Sequence, residues 1–318
     1  MGLGPAFDAV RRVMGRGAPV GAPDLRGRGA RAGAPDPRGS GALAGAVGVL
    51  VAANVLNNRV APRLCPLTST AATGVLLALA RRSGLSWAEL GFHERSRGVR
   101  IGGVLASAVA GVYAVGIAVP ATRRFFRDER ALSLSRARVL EEALLQVPFG
   151  TVLLEEVGFR GVLHALVARS YGTAAATVAS SALFGLWHVL PAIDMMAANP
   201  ALSRLASGES PSAVITAPAV ITVPDGSAAP DGPEEVRGTP GVPDPPARPS
   251  TWQTTRVVTG AVVTTGLAGV LFTHLRRRGG LAAPSMFHLA TNSLGYLFAR
   301  LAPPDRAGTG GPRRAGSP

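Results

Sequence analysis

The chain is poor in the residues that soluble domains use for cross-links and for mixed surface charge. Its 318 residues include a single cysteine, Cys65, no lysine, and only 5% aromatic side chains. One thiol excludes an intrachain disulfide and a tetrathiolate metal site. Acidic residues are also scarce, at 19 against 33 arginines, which gives a formal net charge of +14. In a soluble protein, that charge would suggest a nucleic-acid partner.

The residues that are abundant point to a membrane instead. Hydrophobic residues make up 47% of the chain, and Ala, Val and Leu together with the abundant Gly dominate the apolar segments, as in closely packed membrane helices. The arginines lie in the tails and between apolar runs. We therefore interpret the positive charge as a topology signal and as a contact for anionic lipid head groups. The predicted partners are membrane lipids, with no nucleic acid.

Seven segments are apolar over nearly the length that crosses a bilayer, which is roughly 20 residues. They are 41–57, about 66–81, 101–120, about 139–167, 173–192, about 255–274 and 281–301. The sequence therefore predicts an all-α, polytopic membrane helix bundle of about seven to eight transmembrane helices. The eighth helix would lie in a region of less clear hydropathy.

Three segments have the composition of disordered chain, because they bury too little apolar surface to fold alone. They are an Arg/Gly/Pro-rich arm, a Pro/Gly/acidic loop and a short tail. The predicted organisation is arm 1–40, membrane part 41–193, loop 194–251, membrane part 252–301 and tail 302–318. The arm lacks the apolar core of a secretory signal peptide.

The distribution of arginine predicts an orientation. Cytoplasmic loops carry excess Arg, so the N-terminus is expected in the cytoplasm, with the chain integral to a bacterial plasma membrane. The segment 81–100 and the arginines 276–278 then also lie inside, and the acidic loop lies outside. The basic segment 123–138 falls outside and disagrees with this alternation. We expect it either to lie on the membrane surface or to indicate a miscounted span.

Costly polar groups cluster in the later spans. The fourth span carries two adjacent carboxylates and a guanidinium within "EEVGFRG", and each costs roughly 2.5–3.5 kcal/mol at the bilayer centre. Imidazole and amide side chains follow in the fifth and seventh spans. The six residues are Glu155, Glu156, Arg160, His188, His288 and Asn292. Their cost requires pairing, a water-filled cavity, or both.

Helix geometry predicts how these groups are arranged. Residues four apart share a face, so Glu156 and Arg160 can pair along the fourth span. Glu155 points about 100° away from Glu156 and can face another helix. Three helices can thus direct Glu155, His188, His288 and Asn292 into one cavity.

Such a set of side chains contains the parts needed for hydrolysis. A buried Glu155 beside an imidazole can take a proton from water. His188 can hold the same water or donate to a leaving amine. His288 and Asn292 can donate hydrogen bonds to an oxyanion, each worth typically about 2.7–4 kcal/mol.

Three short motifs, in order on successive apolar segments, resemble a known family. "EEVGFR" fits E-E-x-x-x-R, "FGLWH" fits F-x-x-x-H and "HLATN" fits H-x-x-x-N. Over about 139–301 the chain resembles the CPBP intramembrane endopeptidases, which include type II CAAX prenyl proteases and bacteriocin-processing or Abi proteins. The resemblance implies a peptidase acting on a membrane-associated protein or peptide.

The resemblance also implies roles for individual residues. Glu155 would activate water with His188 as its partner, and His288 and Asn292 would stabilise the oxyanion. Glu156 and Arg160 would hold the shape of the site or help to bind substrate. The long loop 194–251, between the second and third motifs, departs from the family pattern without removing any motif residue.

Two questions stay open at this point. Glu155, His188 and His288 would also form a His₂Glu zinc shell, although no H-E-x-x-H is present and the resemblance favours no bound metal. The same buried groups would also suit a transporter or proton relay, or an inactive protease-like scaffold. No inverted repeat supports a transporter. His164, Phe184 and Trp187 are interpreted as packing residues.

Overall fold

The computed structural model describes residues 37–123, 126, 129–198 and 250–302. The three segments predicted to be disordered lie almost wholly outside these ranges. The first helix begins at Pro37, a few residues before the predicted end of the N-terminal arm.

Within the described residues every regular element is helical, which confirms the all-α prediction. The α-helices are α1 Pro37–Val55, α2 Cys65–Arg82, α3 Arg95–Ala118, α4 Pro120–Arg123, α5 Glu129–Ser133, α6 Arg136–Glu141, α7 Leu153–Glu155, α8 His164–Trp187, α9 Val189–Ala198, α10 Thr251–Gly279 and α11 Ala282–Leu301.

Five helical stretches in the described part are long and apolar enough to cross a membrane. They are Ser40–Val60, Pro62–Arg82, Arg95–Ala118, Arg136–Asp194 and Thr251–Gly279. The predicted count of seven to eight is therefore not confirmed. Predicted spans four and five fall within a single stretch of 59 residues.

Two local features explain the difference in count. Gly172 interrupts the long stretch, because its backbone (φ 83°, ψ 167°) is not helical and lies in a region that glycine tolerates. The seventh predicted span is α11, which is helical but is not among the five, since His288, Asn292 and other polar side chains lower its hydropathy.

The first motif lies in a segment with unusual helical geometry. Glu142–Val152 and Glu156–Leu163 are π-helical, with α7 between them. Such helices are rare and occur frequently at functional sites. All eight residues of Glu156–Leu163 are buried, so the motif runs through the centre of the bundle.

Two glycines of the motif segment, Gly158 and Gly161, allow neighbouring parts of the chain to approach this centre closely. A Cβ on Gly158 would lie 2.9 Å from Leu50 Cδ2 of α1, and one on Gly161 would lie 3.3 Å from the carbonyl of Leu90. The main hydrophobic core therefore joins α1, α2, the motif segment and α8.

The loop between α2 and α3 covers one end of the bundle. The Leu281 amide donates to the Gly91 carbonyl at 2.8 Å, and the Arg276 guanidinium donates to the Glu89 carbonyl. The Arg169 side chain, from α8, donates to the Ser83 carbonyl at 2.8 Å and pairs with the Glu89 carboxylate at 2.8 Å. These contacts tie α8, α10 and α11 to one short connection.

Candidate active site

One imidazole lies between the two carboxylates of the first motif. His288, from α11, places Nδ1 2.8 Å from Glu156 Oε1 and Nε2 3.7 Å from Glu155 Oε2. The exposed fractions of Glu155, Glu156 and His288 are only 4%, 1% and 6%. The structure therefore brings the first and third motifs together in the interior.

The sequence paired Glu156 with Arg160 and directed Glu155 toward other helices, and the structure agrees with this only in part. Arg160 Nη1 lies 3.4 Å from Glu156 Oε1, so the ion pair predicted from the four-residue spacing is present. Glu156, however, also faces His288, which the helix geometry assigned to Glu155 alone. An imidazole carries nitrogens on two sides, and one ring can therefore reach both neighbouring residues of a helix.

The hydrogen bond to Glu156 fixes one proton on His288. A carboxylate only accepts hydrogen bonds, so Nδ1 must carry the hydrogen. A neutral ring then presents a lone pair from Nε2 toward Glu155, whereas a charged ring presents a second N–H.

The guanidinium of Arg160 lies between aromatic rings. Its Cζ is 3.7 Å from the centroid of Phe184 and 4.8 Å from that of Phe272. Cation–π attraction and the pairing with Glu156 both offset part of the cost of burying this charge. Phe184 thus has the packing role that the sequence predicted.

Trp187 differs from the packing role expected of it. Its indole Nε1 donates a hydrogen bond of 2.9 Å to Glu155 Oε1. Buried tryptophan usually finds a partner for its N–H. That tendency, and the position of Trp187 within "FGLWH", were the available signals, but the sequence does not show which carboxylate lies opposite.

His188 follows Trp187 at the end of α8 and makes its described contacts with Phe184. Its Nδ1 donates to the Phe184 carbonyl at 2.8 Å, and its ring packs edge-on against Phe184 with centroids 4.7 Å apart. Among the hydrogen bonds of the described residues, none joins His188 to Glu155. The bond at Nδ1 leaves Nε2 of a neutral ring as an acceptor.

Asn292 follows His288 by one turn of α11 and is half-buried. Its amide has no hydrogen bond to another described residue. The residues around it are fixed: Thr291 Oγ1 donates to the His288 carbonyl at 2.8 Å, and Ser293 Oγ donates to the Ala143 carbonyl at 2.7 Å. The Ser293 bond thus ties α11 to the segment Glu142–Val152, one residue after Asn292.

The structure does not assemble the alternative zinc shell. Within the described ranges, no group of three His, Cys, Asp or Glu side chains is arranged to hold a metal ion.

Glu155 Oε2 and Glu156 Oε2 are buried and have no hydrogen-bond partner among the described residues. His164 is 2% exposed, and neither of its ring nitrogens is hydrogen-bonded in the described structure.

The fold and the site together define a class: a polytopic helical membrane protein with glutamate and histidine buried among its helices. Residues 142–294 match the family described as type II CAAX prenyl endopeptidase Rce1-like. The match contains all six motif residues and confirms the resemblance to the CPBP family for this part of the chain. That family is a protease family, which supports a peptidase integral to a membrane.

No curated protein and no solved structure matches the chain. The family match begins at residue 142, so α1, α2 and α3 lie outside it.

Proposed function

We propose that this protein is an intramembrane endopeptidase that hydrolyses peptide bonds of a membrane-associated protein or peptide. The observation that carries the proposal is the buried approach of Glu155 Oε2 to His288 Nε2 at 3.7 Å. Two helices that are far apart in sequence supply these groups. Their burial cost is hard to explain by packing alone.

In the proposed reaction Glu155 is the general base. Its Oε2 takes a proton from water, and the water oxygen attacks the carbonyl carbon of the scissile peptide bond. The carbonyl electron pair moves to the oxygen and forms an oxyanion. A preorganised carboxylate shielded from bulk solvent supports this step without solvent rearrangement.

His288 and Asn292 stabilise the oxyanion. In the proposed reaction state His288 is an imidazolium, with a proton on each ring nitrogen. Its Nδ1–H donates to Glu156, whose negative charge balances that of the ring, and its Nε2–H donates to the oxyanion. The Asn292 amide supplies a second donor. When the C–N bond breaks, the proton held by Glu155 passes through His188 Nε2 to the leaving amine, and both residues return to their starting states.

The substrate class that we propose is a C-terminal CAAX-type peptide, for which the family is described. The test uses purified full-length protein in lipid nanodiscs with a quenched fluorescent CAAX peptide, prenylated or unprenylated. Cleavage of the prenylated form alone supports CAAX-type specificity, and cleavage of both supports a general peptidase. Cleavage of neither contradicts the substrate assignment.

Glu155→Gln is the deciding variant, because glutamine keeps the shape of the side chain and cannot accept the proton. We expect turnover to fall to the background rate. Glu141→Gln is the matched control, since Glu141 lies 14 residues before Glu155 and pairs with Arg138 near the surface. Equal turnover in Glu155→Gln and the wild type would eliminate Glu155 as the base.

A chelator separates the two mechanisms left open by the sequence. The metal-free mechanism that we propose predicts unchanged cleavage after dialysis against a zinc chelator. Activity that is lost on dialysis and restored by Zn²⁺ would instead assign Glu155, His188 and His288 as ligands.

A further inference from the structure

The two oxygens of the Glu155 carboxylate have different surroundings. Oε1 accepts the hydrogen bond from Trp187 Nε1 at 2.9 Å. Oε2 has no hydrogen-bond partner among the described residues and lies 3.7 Å from His288 Nε2. One oxygen is therefore fixed and the other faces the second group of the site.

Trp187 is itself held from two directions. Its ring packs edge-on against Phe159, with centroids 5.4 Å apart. Its carbonyl accepts a hydrogen bond of 2.9 Å from Asn54 Nδ2 of α1. Trp187 ends α8, where carbonyl groups lack helical partners, so Asn54 satisfies a group that would otherwise be exposed or unpaired.

Asn54 belongs to a different part of the chain. It is 9% exposed and lies in α1, outside the family-matched residues 142–294. A buried amide in an apolar span needs a hydrogen-bond partner to offset its desolvation. The partner here is the carbonyl of the residue that holds Glu155.

We propose that Trp187, held in place by Asn54, is a positioning residue that fixes Glu155 Oε1 and directs Oε2 toward His288 and the substrate water. The effect on catalysis rests on the proposed peptidase function, whereas the contact between Trp187 and Glu155 does not depend on that function. An indole N–H only donates, so Trp187 cannot replace Glu155 as the base.

The donor has a physical consequence beyond orientation. A hydrogen bond to the ionised form of a carboxylate favours that form, and one that involves a charged group is stronger than a neutral one. Trp187→Phe removes the N–H and keeps an aromatic ring. If the residue were only a packing wall, phenylalanine would leave the pH dependence of the reaction unchanged.

The kinetic experiment compares Trp187→Phe with Trp252→Phe, whose side chain is 68% exposed at the start of α10. For Trp187→Phe we expect kcat to fall roughly 10- to 100-fold, the loss of one hydrogen bond to a charged group, with KM within about twofold. The acidic limb of the pH profile of kcat should move to higher pH in Trp187→Phe, because the ionised carboxylate loses a hydrogen-bond donor. A profile identical to that of Trp252→Phe would overturn the positioning role.

Asn54→Leu tests the second link, because leucine is similar in size and cannot donate. We expect a smaller fall in kcat in the same direction. In the double variant Asn54→Leu/Trp187→Phe the effect of Asn54→Leu on the pH profile should disappear, since Asn54 acts through Trp187. Fully additive effects would contradict that link.

A spectroscopic measurement tests the contact independently of cleavage. The chain contains three tryptophans, so ¹⁵N-indole labelling gives three N–H resonances, which the Trp→Phe variants assign. Glu155→Gln should shift the Trp187 resonance and leave those of Trp87 and Trp252 unchanged. An unshifted Trp187 resonance would overturn the inference even in an active enzyme. A shifted resonance in a protein without peptidase activity would keep the contact and refute only the proposed function.

Discussion

At the scale of single residues, the protein reduces the cost of buried charge by sharing partners. Glu156 contacts both Arg160 and His288, and Arg160 also lies against two phenylalanine rings. Isolated charges at such depth would each cost several kcal/mol. The cluster is therefore interdependent, and removing one member should affect the others.

Arg160→Met is expected to destabilise the protein strongly. Removing one partner of a buried ion pair typically costs about 3–5 kcal/mol, because the other charge stays buried. His288 continues to contact Glu156, so we expect a value near the lower end, about 3 kcal/mol. Unfolding in mixed detergent, with helicity as the readout, measures the change.

The double variant Glu156→Gln/Arg160→Met serves as the control, since it removes both charges. Its loss of stability should be clearly smaller than that of Arg160→Met alone. Equal losses in the two variants would show that packing, and not the unpaired carboxylate, causes the effect.

The motifs predicted this residue cluster better than they predicted its contacts. Two carboxylates and an arginine in an apolar segment are readily recognised as a candidate site, because their transfer into the membrane costs free energy that packing alone does not offset. Trp187 and Asn54 are not, since neither side chain is charged and the sequence does not show which group lies opposite each of them. Only the packing of α1 and α8 shows what their N–H groups contact.

At the scale of helices, close backbone contacts hold the third motif in place. A Cβ on Gly98 of α3 would lie 2.0 Å from the Gly279 carbonyl at the end of α10 and 2.9 Å from Ala282 Cβ at the start of α11. Any side chain at Gly98 must therefore separate α3 from the corner that precedes His288.

Gly98→Ala should lower both stability and activity. Overpacking typically costs about 1–3 kcal/mol, and a displaced α11 would move His288 away from Glu155. Detergent unfolding and peptide cleavage measure the two effects.

Gly111→Ala is the matched control on α3, because nothing lies within 4 Å of a Cβ at that position. It should be neutral or stabilising by up to about 1 kcal/mol through helix propensity. If both alanine variants behave alike, close packing at Gly98 does not set the position of α11.

The helical geometry near the first motif was not predictable from the pattern of residues. Apolar periodicity identified helix over 139–167, but α-helical and π-helical geometry satisfy the same apolar composition. The π-helical turns from Glu156 to Leu163 form where α1, α2 and α8 pack against the segment. The choice between the two geometries depends on that packing.

At the scale of the whole molecule, the loop that covers one end of the bundle is joined to α8 by charge. Burial opposes ionisation of Glu89, but hydrogen bonds from the Ser86 backbone and from Arg169 outweigh it and lower the pKa of Glu89 from 4.5 to about 2. Because this pKa is depressed in the folded state, the pair stabilises the fold above about pH 4.5. The contribution is lost as the pH falls toward about 2.

Glu89→Gln should therefore lower the melting temperature at neutral pH and reduce its dependence on pH between about 4.5 and 2. Arg169→Gln should produce the same changes to a smaller degree, since the hydrogen bonds from Ser86 to the Glu89 carboxylate remain. Both side chains are more than a third exposed, so the effect should be small and should weaken with added salt. Melting curves at several pH values measure it, and an unchanged slope in Glu89→Gln would refute the linkage.

The amino-acid sequence by itself determined the class of this protein and marked the residues on which the proposed chemistry rests. Apolar length requires membrane helices, and buried charge at fixed spacing marks the motifs, because both properties follow from the local cost of transfer to lipid. The number of spans was not determined, since local hydropathy does not show whether a glycine breaks a helix. Tertiary structure alone decided that His288 lies between two carboxylates and that Asn54 and Trp187 hold one of them, because these contacts join helices whose relative rotation no local pattern specifies.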